Sequence, residues 1–147
     1  MKNRLPYLIL PLILGGVIAL ALLTDERKAY INLYDTQLKA QKIPCLNLSI
    51  YPPDPTLENA LKNVYEFRAD CPWRFVVKTK ENIHCNSNQN SEKKALTAFP
   101  NSFLRMEIRK GLSLKYSYYV DLTKAADSDD VLEGFEKISM DINLINN

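Results

Sequence analysis

The feature that most constrains this chain is the run from Leu5 to Leu23, LPYLILPLILGGVIALALL, nineteen residues without a charge, Asn or Gln. As a helix it would measure about 28 Å at ~1.5 Å per residue, close to the hydrocarbon thickness of a bilayer. Lys2 and Arg4 precede it, and Asp25, Glu26, Arg27 and Lys28 follow. The positive-inside rule therefore predicts residues 1–4 in the cytoplasm, a transmembrane signal anchor over 5–23, and the remainder across the inner membrane in the periplasm. With no second run of spanning length, the chain is expected to cross once. Ala19-Leu20-Ala21 also fits a signal-peptidase site, and cleavage after Ala21 would release a soluble secreted form. The anchor is preferred because the stretch exceeds the ~7 to 15 residues of a usual signal core and runs on through Leu22 and Leu23.

Charge supports that division. The chain has 19 basic and 17 acidic residues for a net charge of +2, and every acidic residue lies at or beyond Asp25. From there to Asn147 the two signs cancel, so no domain-wide basic surface exists and nucleic acid is not an expected partner. Within that neutral part the signs are segregated. Lys93 to Lys124 holds seven basic and two acidic residues, whereas Ala125 to Asn147 holds six acidic and one basic. One account is that the acidic C-terminal helix packs beside the basic segment and neutralises it. The other is that Arg105, Arg109, Lys110 and Lys115, with Tyr119 beside them, present a basic patch to an acidic partner or to anionic headgroups.

Residues 24–42 lack both Pro and Gly, and Tyr30, Leu33, Tyr34 and Leu38 recur at helical spacing. This pattern predicts a stalk helix continuing from the membrane and ending at Pro44, with those four residues as its contact stripe. A domain over 43–147 follows. Leu46, Leu48 and Ile50 alternate with polar residues as a strand would; Asp54 and Pro55 then provide a helix cap and first turn, and Pro72 stops that helix. Trp73, Phe75 and Val77 alternate as a second strand. The segment 86–94 has no apolar residue and reads as a loop, with a short helix over 93–99. A hairpin is predicted between Phe103 and Leu122 with an odd loop, Lys110-Gly111-Leu112, pairing Ile108 with Leu114 and Glu107 with Lys115. Asp127, Asp129 and Asp130 load the start of a final helix.

The fold expected is α+β: transmembrane helix, stalk helix, then a small, largely antiparallel sheet with helices on one face, a ferredoxin-like arrangement being one form of it. In layout this resembles the single-span, stalk and ferredoxin-like assembly subunits of type II secretion and type IV pilus machines, with no motif from which to carry any residue across.

Cys45, Cys71 and Cys85 are the only thiols, and an oxidising compartment favours a disulfide. Sequence proximity favours Cys71 with Cys85 over Cys45 with Cys71. His84 beside Cys85 suggests a thiol-imidazole pair or a zinc site, but neighbours on an extended chain point to opposite faces and no C-x-x-C spacing is present. No nucleophile elbow, phosphate loop or H-E-x-x-H helix occurs. The sequence thus predicts no enzyme, cofactor or metal site. It predicts a membrane-anchored, exported protein-binding domain, a scaffold or assembly subunit of the cell envelope, with the bilayer and an envelope protein as partners. An exported immunity or inhibitor protein against a toxin or lytic enzyme is the alternative. The oligomeric state is not legible.

Overall fold

A computed structural model of the protein describes residues 28–83, 100–142 and 144. The segment 5–23, the 86–94 loop, the helix expected over 93–99, His84 and Cys85 lie outside these residues. Among the described residues no helix is long and apolar enough to cross a membrane. In chain order the elements are β1 (Ala29–Leu33), a 3-10 helix (Thr36–Lys39), β2 (Asn47–Tyr51), α1 (Pro55–Val64), β3 (Trp73–Lys80), β4 (Ser102–Lys110), β5 (Ser113–Leu122) and α2 (Ser128–Asp141). The strands form one five-stranded sheet in the order β1-β5-β4-β3-β2. Its β2–β3 pair is parallel and its other pairs are antiparallel.

This mixed sheet corrects the expected fold in two respects. Over its described part, residues 28–42, the stalk helix does not form. Tyr30 and Leu33 lie in β1, opposite Tyr119 and Tyr116 of β5, and Leu38 is fully buried in the 3-10 helix. The helical spacing of Tyr30, Leu33, Tyr34 and Leu38 arises from a strand followed by a turn. Asp35 breaks the segment, its carboxylate accepting the Gln37 N–H at 3.0 Å. Pairing with β5 satisfies the backbone of β1, and burial of Leu38 outweighs the amphipathic-helix alternative. The arrangement is also not ferredoxin-like, since that layout interleaves its strands through two βαβ crossovers. Here one crossover, β2-α1-β3, joins neighbouring parallel strands, and β1 extends the far edge.

Local chemistry fixes both helices. The Asp54 carboxylate accepts from the amides of Thr56 (2.8 Å) and Leu57 (3.2 Å), with Pro55 in the first turn. Asp127 and Asp130 form a reciprocal capping box at the start of α2. Leu57 and Leu61 of α1, with Val131, Phe135 and Ile138 of α2, pack on the sheet face formed by Phe75, Val77, Leu104, Met106, Ile108, Tyr116 and Tyr118. Phe75 meets Phe135 edge-on at 5.3 Å and stacks with Phe67 at 6.1 Å. Gly134 lets α2 approach closely: a Cβ there would stand 2.9 Å from Met106 Cε and 3.0 Å from Tyr118 Cε1. The Tyr116 hydroxyl donates to Asp141 Oδ2 at 2.7 Å and pins the end of α2 to the sheet.

The hairpin differs from its expected register. Lys110 pairs with Ser113 across a two-residue Gly111-Leu112 turn, and Gly111 takes a positive φ of 59°. Such a turn alone would place the apolar sets on opposite faces. A bulge at Lys115 inserts the missing residue, so that Ile108 lies opposite Tyr116, Met106 opposite Tyr118, and Glu107 opposite Ser117 instead of Lys115.

The disulfide joins Cys45 to Cys71, with Cα atoms 5.9 Å apart. This corrects the preference for Cys71 with Cys85. Each bonded cysteine lies two residues before one of the parallel neighbours β2 and β3, so the crossover brings together positions 26 apart in sequence.

Candidate functional site

Strand alternation divides the sheet into two faces. The helices and the core take one. The other carries Arg74, Val76 and Lys78 from β3, Phe103, Arg105, Glu107 and Arg109 from β4, and Ser117, Tyr119 and Asp121 from β5. Among the described residues both helices lie on the opposite side, leaving this face without a covering layer.

Glu107 sits at its centre and is only 1% exposed. Arg109 Nε donates to Oε2 at 2.7 Å, Arg105 Nε lies 2.8 Å from Oε1, and Lys78 Nζ is 3.5 Å from both oxygens. Burial alone would raise the Glu107 pKa. The Arg109 hydrogen bond and the charges of Arg105, Lys78 and Arg109 outweigh it, holding the carboxyl below its usual range.

Around this carboxylate the register sets cation against cation. Arg109 lies opposite Arg74, and Arg105 lies opposite Lys78. Like charges directly across a ladder are destabilising, and with Lys80 and Asp121 at its end the face carries five cations against two carboxylates. Four residues separate the two pairs along the strand, a distance of about 13 Å at ~3.3 Å per residue. Arg74 is anchored at the hairpin end, donating to the Gly111 carbonyl at 2.7 Å.

An aromatic margin borders the cations. Phe103 and Tyr119 have ring centroids 5.5 Å apart, and Tyr30 of the edge strand lies 6.3 Å from Tyr119. The Tyr119 hydroxyl donates to Asp121 at 2.7 Å. Burial, with that hydrogen bond to an anion, pushes its pKa up to about 12.

The structure therefore unites three of the five expected patch residues, Arg105, Arg109 and Tyr119. Lys110 is not with them: its Nζ lies 5.0 Å above the Trp73 ring, at the end of the core-side face. Lys115, the bulged residue, is bound to Asp35 at 2.9 Å and holds that carboxyl below its usual range, chiefly by hydrogen bonding. Sequence reasoning missed Arg74, Lys78 and the central role of Glu107. The alternation of Arg74 and Lys78 along β3 was the available signal; that β3 lies beside β4 was not.

The acidic helix does not neutralise this patch. It packs on the opposite layer, where Gly134 meets Met106 and Tyr118. Its charges are used locally: Glu133 pairs with Lys137 at 2.6 Å, Asp127 with Lys124, and Asp141 with the Tyr116 hydroxyl. The sheet thus separates a cationic face from an acidic helix.

A concavity of about 590 Å³ lies beside the disulfide, bordered by Pro44, Cys45, Lys62, Tyr65 and Arg68. Its cations are already paired, Lys62 with Glu58 at 2.6 Å and Arg68 with Asp70 at 2.8 Å. Among the described residues no group of three His, Cys, Asp or Glu side chains is placed to hold a metal ion. No family model, curated protein or solved structure matches the chain.

Proposed function

We propose that the chain is an exported protein-binding domain of the cell envelope, held at the membrane through its apolar run over 5–23 and working as a scaffold or assembly subunit. The observation that carries this reading is the sheet face that no helix covers among the described residues, on which Lys78, Arg105 and Arg109 bind Glu107 and Arg74 lies opposite Arg109, while the acidic helix lies on the opposite layer. Two further features support the reading. The Cys45–Cys71 disulfide suits an oxidising, exported compartment. The five steps from Leu23 to Lys28 reach at most about 17 Å, which would hold β1 close to a membrane anchored at Leu23.

Photocrosslinking in intact membranes tests the proposal. A photoreactive residue replacing Tyr119 on the uncovered face should yield discrete protein adducts, while one replacing the exposed Met140 on α2 should not. Adducts with lipid alone, or equal labelling from both positions, would count against a protein-binding face.

A further inference from the structure

Resting on that protein-binding reading, we propose that the partner docks across β3, β4 and β5 through an acidic segment whose carboxylates stand about 13 Å apart, matching the two cation pairs. One pair is Arg74 with Arg109, the other Lys78 with Arg105, and both lie in register on the uncovered face. Placing two such pairs on adjacent strands opposes stability, and Glu107 relieves only part of the repulsion. Carboxylates arriving over each pair supply the missing countercharge, so binding relieves a repulsion already present in the free domain.

The geometry favours a protein carboxylate over a diffuse anionic surface. Arg109 donates through Nε to the buried carboxylate and through Nη1 to the Leu112 carbonyl, Arg105 lies 2.8 Å from the same carboxylate as an ion pair, and Arg74 is tied to the Gly111 carbonyl. Guanidinium groups positioned in this way suit directional pairing, through their remaining N–H groups, with carboxylates at defined positions. A headgroup layer requires no such fixed spacing. On an extended partner strand the spacing corresponds to acidic residues at i and i+4, both projecting from one face. The aromatic margin of Phe103 and Tyr119 gives such a segment an apolar boundary on one side.

The test uses the full chain in phosphatidylcholine nanodiscs. The probe is a synthetic peptide carrying two glutamates four residues apart in a serine and threonine background, with a glutamine version as control. Comparison ligands are vesicles containing phosphatidylglycerol and a single-stranded oligonucleotide. The glutamate peptide should bind, the glutamine peptide should not, and binding should weaken as salt is raised. The double variant Lys78→Gln/Arg105→Gln should lose at least about tenfold in affinity. Lys62→Gln, on α1, should bind as the parent does. Thermal melts establish that the variants remain folded, and the salt dependence of the unsubstituted chain provides a readout independent of any variant.

Three results would overturn the inference: equal binding of both peptides, unchanged affinity in the double variant, or preference for the vesicles or the oligonucleotide over the glutamate peptide. Crosslinking separates this failure from failure of the broader reading. Protein adducts from position 119 that persist in the double variant would retain a protein-binding domain and remove its acidic partner. Loss of all protein adducts would remove the proposed function itself.

Discussion

Glu107 shows how one buried carboxylate can organise a surface of cations. Its carboxylate is sealed by the side chains it binds, with Arg105, Arg109 and Lys78 lying over it from two strands. Because those cations are partly solvated, the ion pairs are worth much less than their distances suggest. Replacing Glu107 with Gln preserves the shape but leaves Lys78, Arg105 and Arg109 without their shared anion. We expect a loss of about 1–2 kcal/mol at neutral pH. The pH dependence follows from the depressed pKa. Glu107 stabilises the fold fully above its unfolded value, near 4.5, and that contribution disappears as pH falls through the lower folded value. Urea midpoints of the parent and Glu107→Gln should therefore differ at neutral pH and converge well below pH 4.5. A constant gap across that range would show that the carboxylate charge is not what matters.

At the scale of elements, segments with strong local signals were legible and those depending on distant partners were not. Asp54 with Pro55, and Asp127 with its following acids, mark helix starts because capping is chemistry between near neighbours. The strand alternation at Trp73–Lys80 and Ser113–Leu122 reflects burial of one sheet face and can likewise be read from the chain. The hairpin sequence presents a parity conflict with two solutions, an odd loop or a bulge. Lys115 at the bulge carries no special signature, and its partner Asp35 is far away in sequence. Likewise, β1 resembles part of a helix until β5 is known to lie beside it. The candidate site was half visible for the same reason: β4 and β5 supplied Arg105, Arg109 and Tyr119, whereas Arg74 and Lys78 join them only through the β3–β4 register.

The disulfide is another product of that topology. It closes the β2-α1-β3 crossover over a separation of 26 residues. For a loop of this length, restriction of the unfolded chain contributes about 3.5 kcal/mol. The paired change Cys45→Ser/Cys71→Ser should lower the urea midpoint accordingly, and reductant should move the parent toward the variant. If reductant leaves the parent midpoint unchanged, the crossover is held by packing of Leu57 and Leu61 rather than by the bond.

For the whole molecule, the structure moves the domain's beginning into the segment expected to be a stalk. Leu38 is fully buried, and β1 covers an edge of β5 along the register from Ala29–Val120 to Leu33–Tyr116. A chain starting at Lys28 retains these contacts; one starting at Ile43 loses them. The second loses the burial of Leu38, worth about 2 kcal/mol, together with the β1 ladder. It also uncovers the edge of β5, whose sequence SLKYSYYVDL is ten residues long and rich in tyrosine. A long unpaired edge of that composition is a template for pairing with another copy. The chain from 28 to 147 should therefore stay monomeric and unfold at the same urea concentration as the domain in the full chain. The chain from 43 to 147 should unfold at lower urea and associate as its concentration rises. Sedimentation and urea melts on the two truncated chains decide the matter. Equal midpoints and equal mass would return residues 28–42 to the role of a dispensable connector. The expected difference would make β1 an integral edge of the sheet, holding β5 paired on both sides.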